Sequence, residues 1–327
     1  MNVNANQLTG WIPIRLYWKD ESPLVDWCWI GKRRFAESFF HQTVGACFEL
    51  PFSTLIRPQT AIVTLAERYA IEPGLQPTGF IFHMSRCGST LVSQMLAALP
   101  GSVVISEAGP IDSVLRARFQ DPTLADGTRA EWLKWLVSAL AQRRNGDEKT
   151  LFIKFDSWSV LDLSLIGTAF PDVPWIFLYR DPVEVLVSQL AHRGAQMVTG
   201  GIEPELFGMT AREVSKMLPE QYCARVLAGV CEAALRYYQT LGGMLINYQQ
   251  LPDAVWTLIA GFFRVECSDS DLEAFRRAAT LDAKNPSMGF ESDSKRKRSS
   301  APEAVRLAAD KWLVPVYEQL EAARLPI

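Results

Sequence analysis

A chain of 327 residues, 48% hydrophobic and 21% charged, has the composition of one large globular domain, or of one domain with a smaller attachment. Its formal net charge of −3 and pI near 5.8 exclude a general pull toward nucleic acid or anionic membranes, so any anion site must be local. No apolar stretch reaches the roughly 18 residues of a membrane span, and the six cysteines include no CxxC pair, which favours reduced thiols over disulfides or zinc.

Residues 1–7 carry neither the charged nor the apolar region of a signal peptide. The expectation is a soluble, cytoplasmic protein with no nucleic-acid and no membrane partner. Residues 1–75 differ from the rest, with Trp11, Trp18, Trp27 and Trp29 crowded into alternating segments that read as short strands. Helices are expected over 32–43 and 61–69. The whole reads as a small α+β accessory region whose tryptophans pack rather than stack on sugars. Residues 72–79, with Pro73, Gly74, Pro77 and Gly79, forbid regular structure and mark the entry to a main domain over 76–327.

Within that domain the pattern alternates. Short apolar runs at 79–84, 102–106, 150–155, 173–179 and 244–248 read as strands. Helical spacing occupies 90–99, 130–143, 158–169, 182–193 and 219–241. Such alternation predicts a parallel sheet covered on both faces, with ligands at the carboxyl ends of its strands. Helices are also expected over 253–264, 269–279 and 302–324, the last kinked or interrupted at Pro315. Between the last two lies a Ser-, Gly- and charge-rich segment, 285–300, with the chain's only dense basic run, Lys295-Arg296-Lys297-Arg298.

The chemistry concentrates where the first strand of the main domain ends, at Ser85-Arg86-Cys87-Gly88-Ser89-Thr90. A strand, a tight turn and a helix start would aim backbone N–H groups, hydroxyls and a guanidinium at one point, where the helix dipole favours an anion. Ordinary turn chemistry uses the same residue types. The GxxxxGK[ST] pattern of nucleotide triphosphatases is absent, because no lysine precedes the hydroxyl. Cys87 reads as a small residue filling the loop rather than as a nucleophile. A second cluster follows the fourth of these strands: Arg180 leaves its end, Pro182 opens a helix, and Ser188 sits two turns along it, a guanidinium and a hydroxyl suited to a phosphate.

Together, an RCGST loop and, about a hundred residues later, an RDPxxxxxS segment resemble the sulfotransferases that use 3′-phosphoadenosine 5′-phosphosulfate (PAPS). The resemblance spans residues 79–327 and lies nearest in pattern to the tyrosylprotein and related bacterial sulfotransferases. It implies a P-loop-type α/β fold with PAPS as cofactor. It also implies that Ser85, Arg86, Cys87, Gly88, Ser89 and Thr90 surround the 5′-phosphosulfate, while Arg180 and Ser188 grip the 3′-phosphate. Here Ser85 and Cys87 replace the family's usual Pro and Ser. By the same match Glu107, after the second strand, is the general base that deprotonates a hydroxyl or amine acceptor. Lys154 stabilises charge on the transferring group, although a structural pairing of Lys154 with Asp156 is an equal reading of the residues alone. Tyr248 falls in the family's segment after the last strand, and the basic run falls where relatives carry a cofactor-covering loop, its contact assigned to Lys297. No metal is needed by this scheme, and the acceptor, a small molecule, sugar or peptide, is left open. The rivals are a kinase-like transferase and a non-catalytic nucleotide-binding module on the same fold.

Overall fold

The structure, a computed structural model, describes residues 4–285, 287–289 and 294–324. Eight strands form two sheets. The smaller is antiparallel, in the order β1 (Trp11–Lys19), β2 (Ser22–Trp29), β3 (Gln59–Ala61). The larger holds β4 (Gly79–His83), β5 (Ser102–Ser106), β6 (Thr150–Lys154), β7 (Trp175–Tyr179) and β8 (Met244–Asn247) in the order β5-β6-β4-β7-β8, every pairing parallel. All of β4, β5 and β7 is buried, which explains their unbroken apolar runs: both faces are covered by helices. Chain order reverses around β4, flanked by β6 and β7, so the crevice at the carboxyl ends opens there.

The expected strands occur within a residue or two of their predicted limits, and Pro219–Leu241 and Asp269–Ala279 are helices over the full predicted spans. The stretch 158–169 begins as a 3₁₀ turn, Ser157–Asp162, before the α-helix Leu163–Ala169. The expected closing helix is interrupted by a π-helical segment, Ala309–Leu313, between Glu303–Ala308 and Val314–Ala323. Pro315 lies just beyond it, where a ring cannot tolerate the carbonyl four residues back, and a wider turn relieves that conflict. The stretch 253–264 likewise contains a π-helical segment, Val255–Ile259.

One expectation fails. Residues 32–39 are not helical, and the helix begins only at Phe40 (Phe40–Phe48). Tertiary contacts outbid helical propensity here. Phe35 is buried against Phe40, and the Ser38 hydroxyl donates to the Ala283 carbonyl at 2.6 Å. The Phe39 ring covers the Lys154 ammonium at 4.7 Å.

The tryptophans of the small sheet pack as expected. Trp27 is fully buried, its indole N–H donating to Thr60 Oγ1 at 3.0 Å. Trp18 meets Trp132 of the helix Asp126–Leu140, ring centroids 6.3 Å apart, so the small sheet and the large one share a continuous apolar core. Among the described residues no helix is long and apolar enough to cross a membrane, and the six cysteines are free thiols.

Candidate active site at the carboxyl edge of the sheet

β4 ends at His83, and the chain then turns through left-handed backbone at Ser85 (φ +75°), Arg86 (φ +52°) and Gly88 (φ +85°) before the helix Ser89–Ala97 begins. For Ser85 and Arg86 that conformation costs about 1 kcal/mol or more each, and four contacts hold it. Ser85 N–H donates to His83 Nδ1 (3.0 Å) and Gln189 Nε2 to Ser85 Oγ (2.8 Å). Arg86 Nη2 donates to the His192 carbonyl (2.6 Å), and the Cys87 thiol to the Leu178 carbonyl (3.1 Å). Gly88 is required twice over: its φ suits glycine, and a Cβ there would lie 2.7 Å from Leu251 Cδ1 and 2.9 Å from Tyr248 Cδ2. Burial pushes the Cys87 thiol up to about 12, the behaviour of a packed residue rather than of a nucleophile.

Arg180 follows β7 and is held on every side. Its Nε donates to Glu184 Oε2 at 2.6 Å, its Nη2 to Ser294 Oγ at 2.9 Å, and its guanidinium lies 4.0 Å over the Tyr248 ring. Glu184, 2% exposed, also accepts from Arg298 Nε at 2.6 Å. Asp181 caps the helix Pro182–Ala191 through the Glu184 N–H. The basic run is thereby part of the site: the short helix Ser294–Ser299 carries Ser294 and Arg298 against Arg180 and Glu184. Residues 286 and 290–293 of this predicted segment lie outside the described residues.

These elements enclose a cavity of about 250 Å³, lined by Arg86, Cys87, Gly88, Ser89, Thr90, Arg180, Ser188, Tyr248 and Lys297. Ser85 and Glu107 line a second cavity of about 230 Å³ with His83, Phe39, Asp156 and Trp158. The two adjoin, sharing Arg86, Ser89, Thr90 and Lys284. Lys154 lies beneath both, fully buried, its ammonium 2.6 Å from Glu107 Oε1 and 3.4 Å from Thr90 Oγ1. Its carboxylate partner is thus Glu107 rather than Asp156.

Glu107 follows β5 with a left-handed backbone (φ +55°), its N–H bonded to the Lys154 carbonyl at 2.7 Å. Burial would raise its carboxyl, but Lys154 and His83 outweigh that and bring it down to about 2. His83 is buried, which pushes its own pKa down. Because Ser85 N–H donates to Nδ1, the ring proton sits on Nε2, directed at the Phe155 carbonyl (3.0 Å) and Glu107 Oε1 (3.4 Å). Asp156 behaves oppositely: burial, then Glu107 and Asp112, push it well up. Two carboxyl groups facing one cavity are therefore driven apart in acidity, the condition for distinct acid and base roles.

Sequence reasoning did not single out Glu184, Asp156, Phe39 or Lys284. Glu184 had a signal, its i+4 spacing from Arg180. The others reach the site only through tertiary folding.

No family model and no curated protein matches the chain. Among solved structures it is similar to the sulfotransferase domain of the curacin biosynthetic pathway, with TM-score 0.43, 15% identity, and 73% of this chain and 98% of that chain covered. It is also similar to the sulfotransferase domain of the Synechococcus PCC 7002 olefin synthase, with TM-score 0.42, 17% identity, and 78% and 97% covered. For the sulfotransferase STF9 of Mycobacterium avium the values are 0.45, 11%, and 77% and 80%.

Proposed function

We propose that the chain is a sulfotransferase that moves the sulfuryl group of PAPS to a hydroxyl or amine acceptor. The observation that carries this reading is the junction of the two cavities at Arg86, Ser89 and Thr90, with cations and a helix N-terminus on one side and the Glu107 carboxylate on the other. The first cavity suits a ligand bearing negative groups at both ends. Gly88 leaves open the space a Cβ would fill, and the surrounding donors are guanidinium, ammonium and hydroxyl groups.

In this reading Arg86, Gly88, Ser89 and Thr90 hold the phosphosulfate, with Lys154 below, while Arg180, Ser188 and Lys297 hold the 3′-phosphate beside Tyr248. When bound, PAPS supplies an activated sulfuryl group. Glu107 takes the acceptor's proton as the new bond to sulfur forms and the bond from sulfur to the phosphate oxygen breaks, and Lys154 meets the charge left on that oxygen. A carboxylate at about 2 is a feeble base. Negative charge near Thr90 draws on the same Lys154 ammonium, loosens its hold on Glu107 and returns the carboxylate toward its ordinary range. Donor binding thereby prepares the base.

Calorimetric titration with 3′-phosphoadenosine 5′-phosphate, against ATP with magnesium, tests the reading. Micromolar or tighter binding of the bisphosphate, lost in Arg180→Ala, is the expected result. A preference for ATP with magnesium would put a kinase-like transferase first. Tight bisphosphate binding with no transfer to any acceptor in a broad screen would leave a non-catalytic nucleotide-binding module.

A further inference from the structure

Lys284 lines both cavities at their junction, beside Arg86. Its backbone is fixed from two directions. Asp282 Oδ1 accepts the N–H groups of Lys284 (2.9 Å) and Asn285 (2.8 Å), and the Ala283 carbonyl accepts the Ser38 hydroxyl of the N-terminal region. The ammonium itself makes no hydrogen bond or ion pair among the described residues. Four charged groups act on it: Arg86 and Lys154, Glu107 and Asp282. Glu107 is already matched by Lys154 at 2.6 Å, and one Asp282 oxygen is occupied by two backbone N–H groups. What remains around Lys284 and Arg86 is positive, so the junction calls for an anion.

Resting on the sulfotransferase reading above, we propose that Lys284 is a further substrate-contacting residue. It is the cation that meets the phosphosulfate where the two cavities join, and it takes up a proton as that anion docks. Its side chain is exposed because it faces the cavity lumen. Protein nevertheless surrounds it closely enough that burial, with Arg86 and Lys154, lowers its pKa to about 8 against the opposing pull of Glu107 and Asp282. Near pH 8 about half of these side chains are therefore neutral before ligand arrives. A bound anion favours the charged form. Anion affinity should accordingly fall by up to about tenfold per unit as pH rises from 8 toward 10. Of the other groups facing the junction, Glu107 stays ionised, His83 is pushed down by burial and Cys87 up to about 12. Asp156, raised by burial, faces the second cavity and would add to proton uptake, so lysine variants rather than uptake alone decide the matter.

The test is calorimetry of 3′-phosphoadenosine 5′-phosphate binding at pH 8, in two buffers of different ionisation heat that contain neither phosphate nor sulfate. Wild type should take up about half a proton on binding. Lys284→Met should lose that uptake and bind roughly tenfold to a hundredfold more weakly. Lys284→Arg should also lose it, yet bind within a few-fold of wild type and with no pH dependence above 8. Unchanged affinity or unchanged uptake in Lys284→Met, with binding still abolished by Arg180→Ala, overturns the lysine assignment alone. Absence of bisphosphate binding to wild type overturns the sulfotransferase reading and this proposal together. Equal unfolding midpoints for the three proteins establish that the variants remain folded.

Discussion

The two cavities that meet at Arg86, Ser89 and Thr90 are made in different ways. The first is built mostly by short runs of sequence: the turn from β4 into its helix supplies Arg86 to Thr90, and the turn after β7 supplies Arg180 and Ser188. The second draws single residues from far apart, Phe39 from the N-terminal region, Glu107 after β5, Asp156 after β6 and Gln196 beyond the helix Pro182–Ala191. A ligand that many proteins share can be held by local backbone geometry, which a motif encodes. An acceptor that differs from protein to protein needs side chains brought together by the fold as a whole.

If the division is sound, Glu107→Gln separates the two cavities most sharply. Glu107 faces only the second, so the substitution should lower turnover by roughly a hundredfold or more while bisphosphate affinity stays within a few-fold. Undiminished turnover would remove the base assignment. The same variant has a signature in acid. The folded carboxyl sits at about 2, against about 4.3 in an unfolded chain. Its contribution to stability, at most about 3 kcal/mol, is therefore complete above about pH 4.3 and drains away as pH falls toward 2. Urea unfolding between pH 3 and 5 should show that slope in wild type and a flatter one in Glu107→Gln.

Gly88→Ala strikes the other side of the division. The added Cβ would meet Leu251 at 2.7 Å and Tyr248 at 2.9 Å in a backbone held at φ +85°. A loss of roughly 1–2 kcal/mol in stability should accompany at least a tenfold weaker grip on the bisphosphate. Leu251→Ala placed in the same chain relieves the nearest contact but not the left-handed strain, so it should restore only part of the loss. Full recovery would mean that crowding, not backbone conformation, makes the glycine necessary.

How far the sequence discloses each part follows from the same physics. The parallel sheet was legible because strands buried on both faces are unbroken apolar runs, as in Phe80-Ile81-Phe82 and Ile176-Phe177-Leu178. The turn at Ser85 to Thr90 was legible because an isolated glycine and clustered hydroxyls between a strand and a helix have few other uses. Residues 32–39 misled, since their composition permits a helix and only contacts with Ala283, Phe40 and Lys154 keep them extended. Lys284 carried no signal: a single lysine in a polar loop is ordinary until folding sets it between Arg86 and Glu107. The pairing of Lys154 with Glu107 rather than the nearby Asp156 was likewise undecidable from spacing. It depends on β5 lying beside β6 in register, Ser106 opposite Lys154.

The smallest expected effect probes the boundary itself. Phe39 lines the second cavity yet covers with its ring, at 4.7 Å, the Lys154 ammonium that serves both. Phe39→Leu keeps an apolar side chain but removes the ring face, a loss on the order of 1–2 kcal/mol for a desolvated cation. If Lys154 acts on the transferring group, kcat/KM should fall roughly threefold to tenfold while bisphosphate affinity moves by less than about twofold, and Phe39→Tyr should restore the rate because its ring still faces the ammonium. An equal fall in bisphosphate affinity would show that the N-terminal region supports the first cavity as much as the second. The contrast between a locally encoded donor side and a globally assembled acceptor side would then have to be given up at Lys154, the one residue both sides share from below.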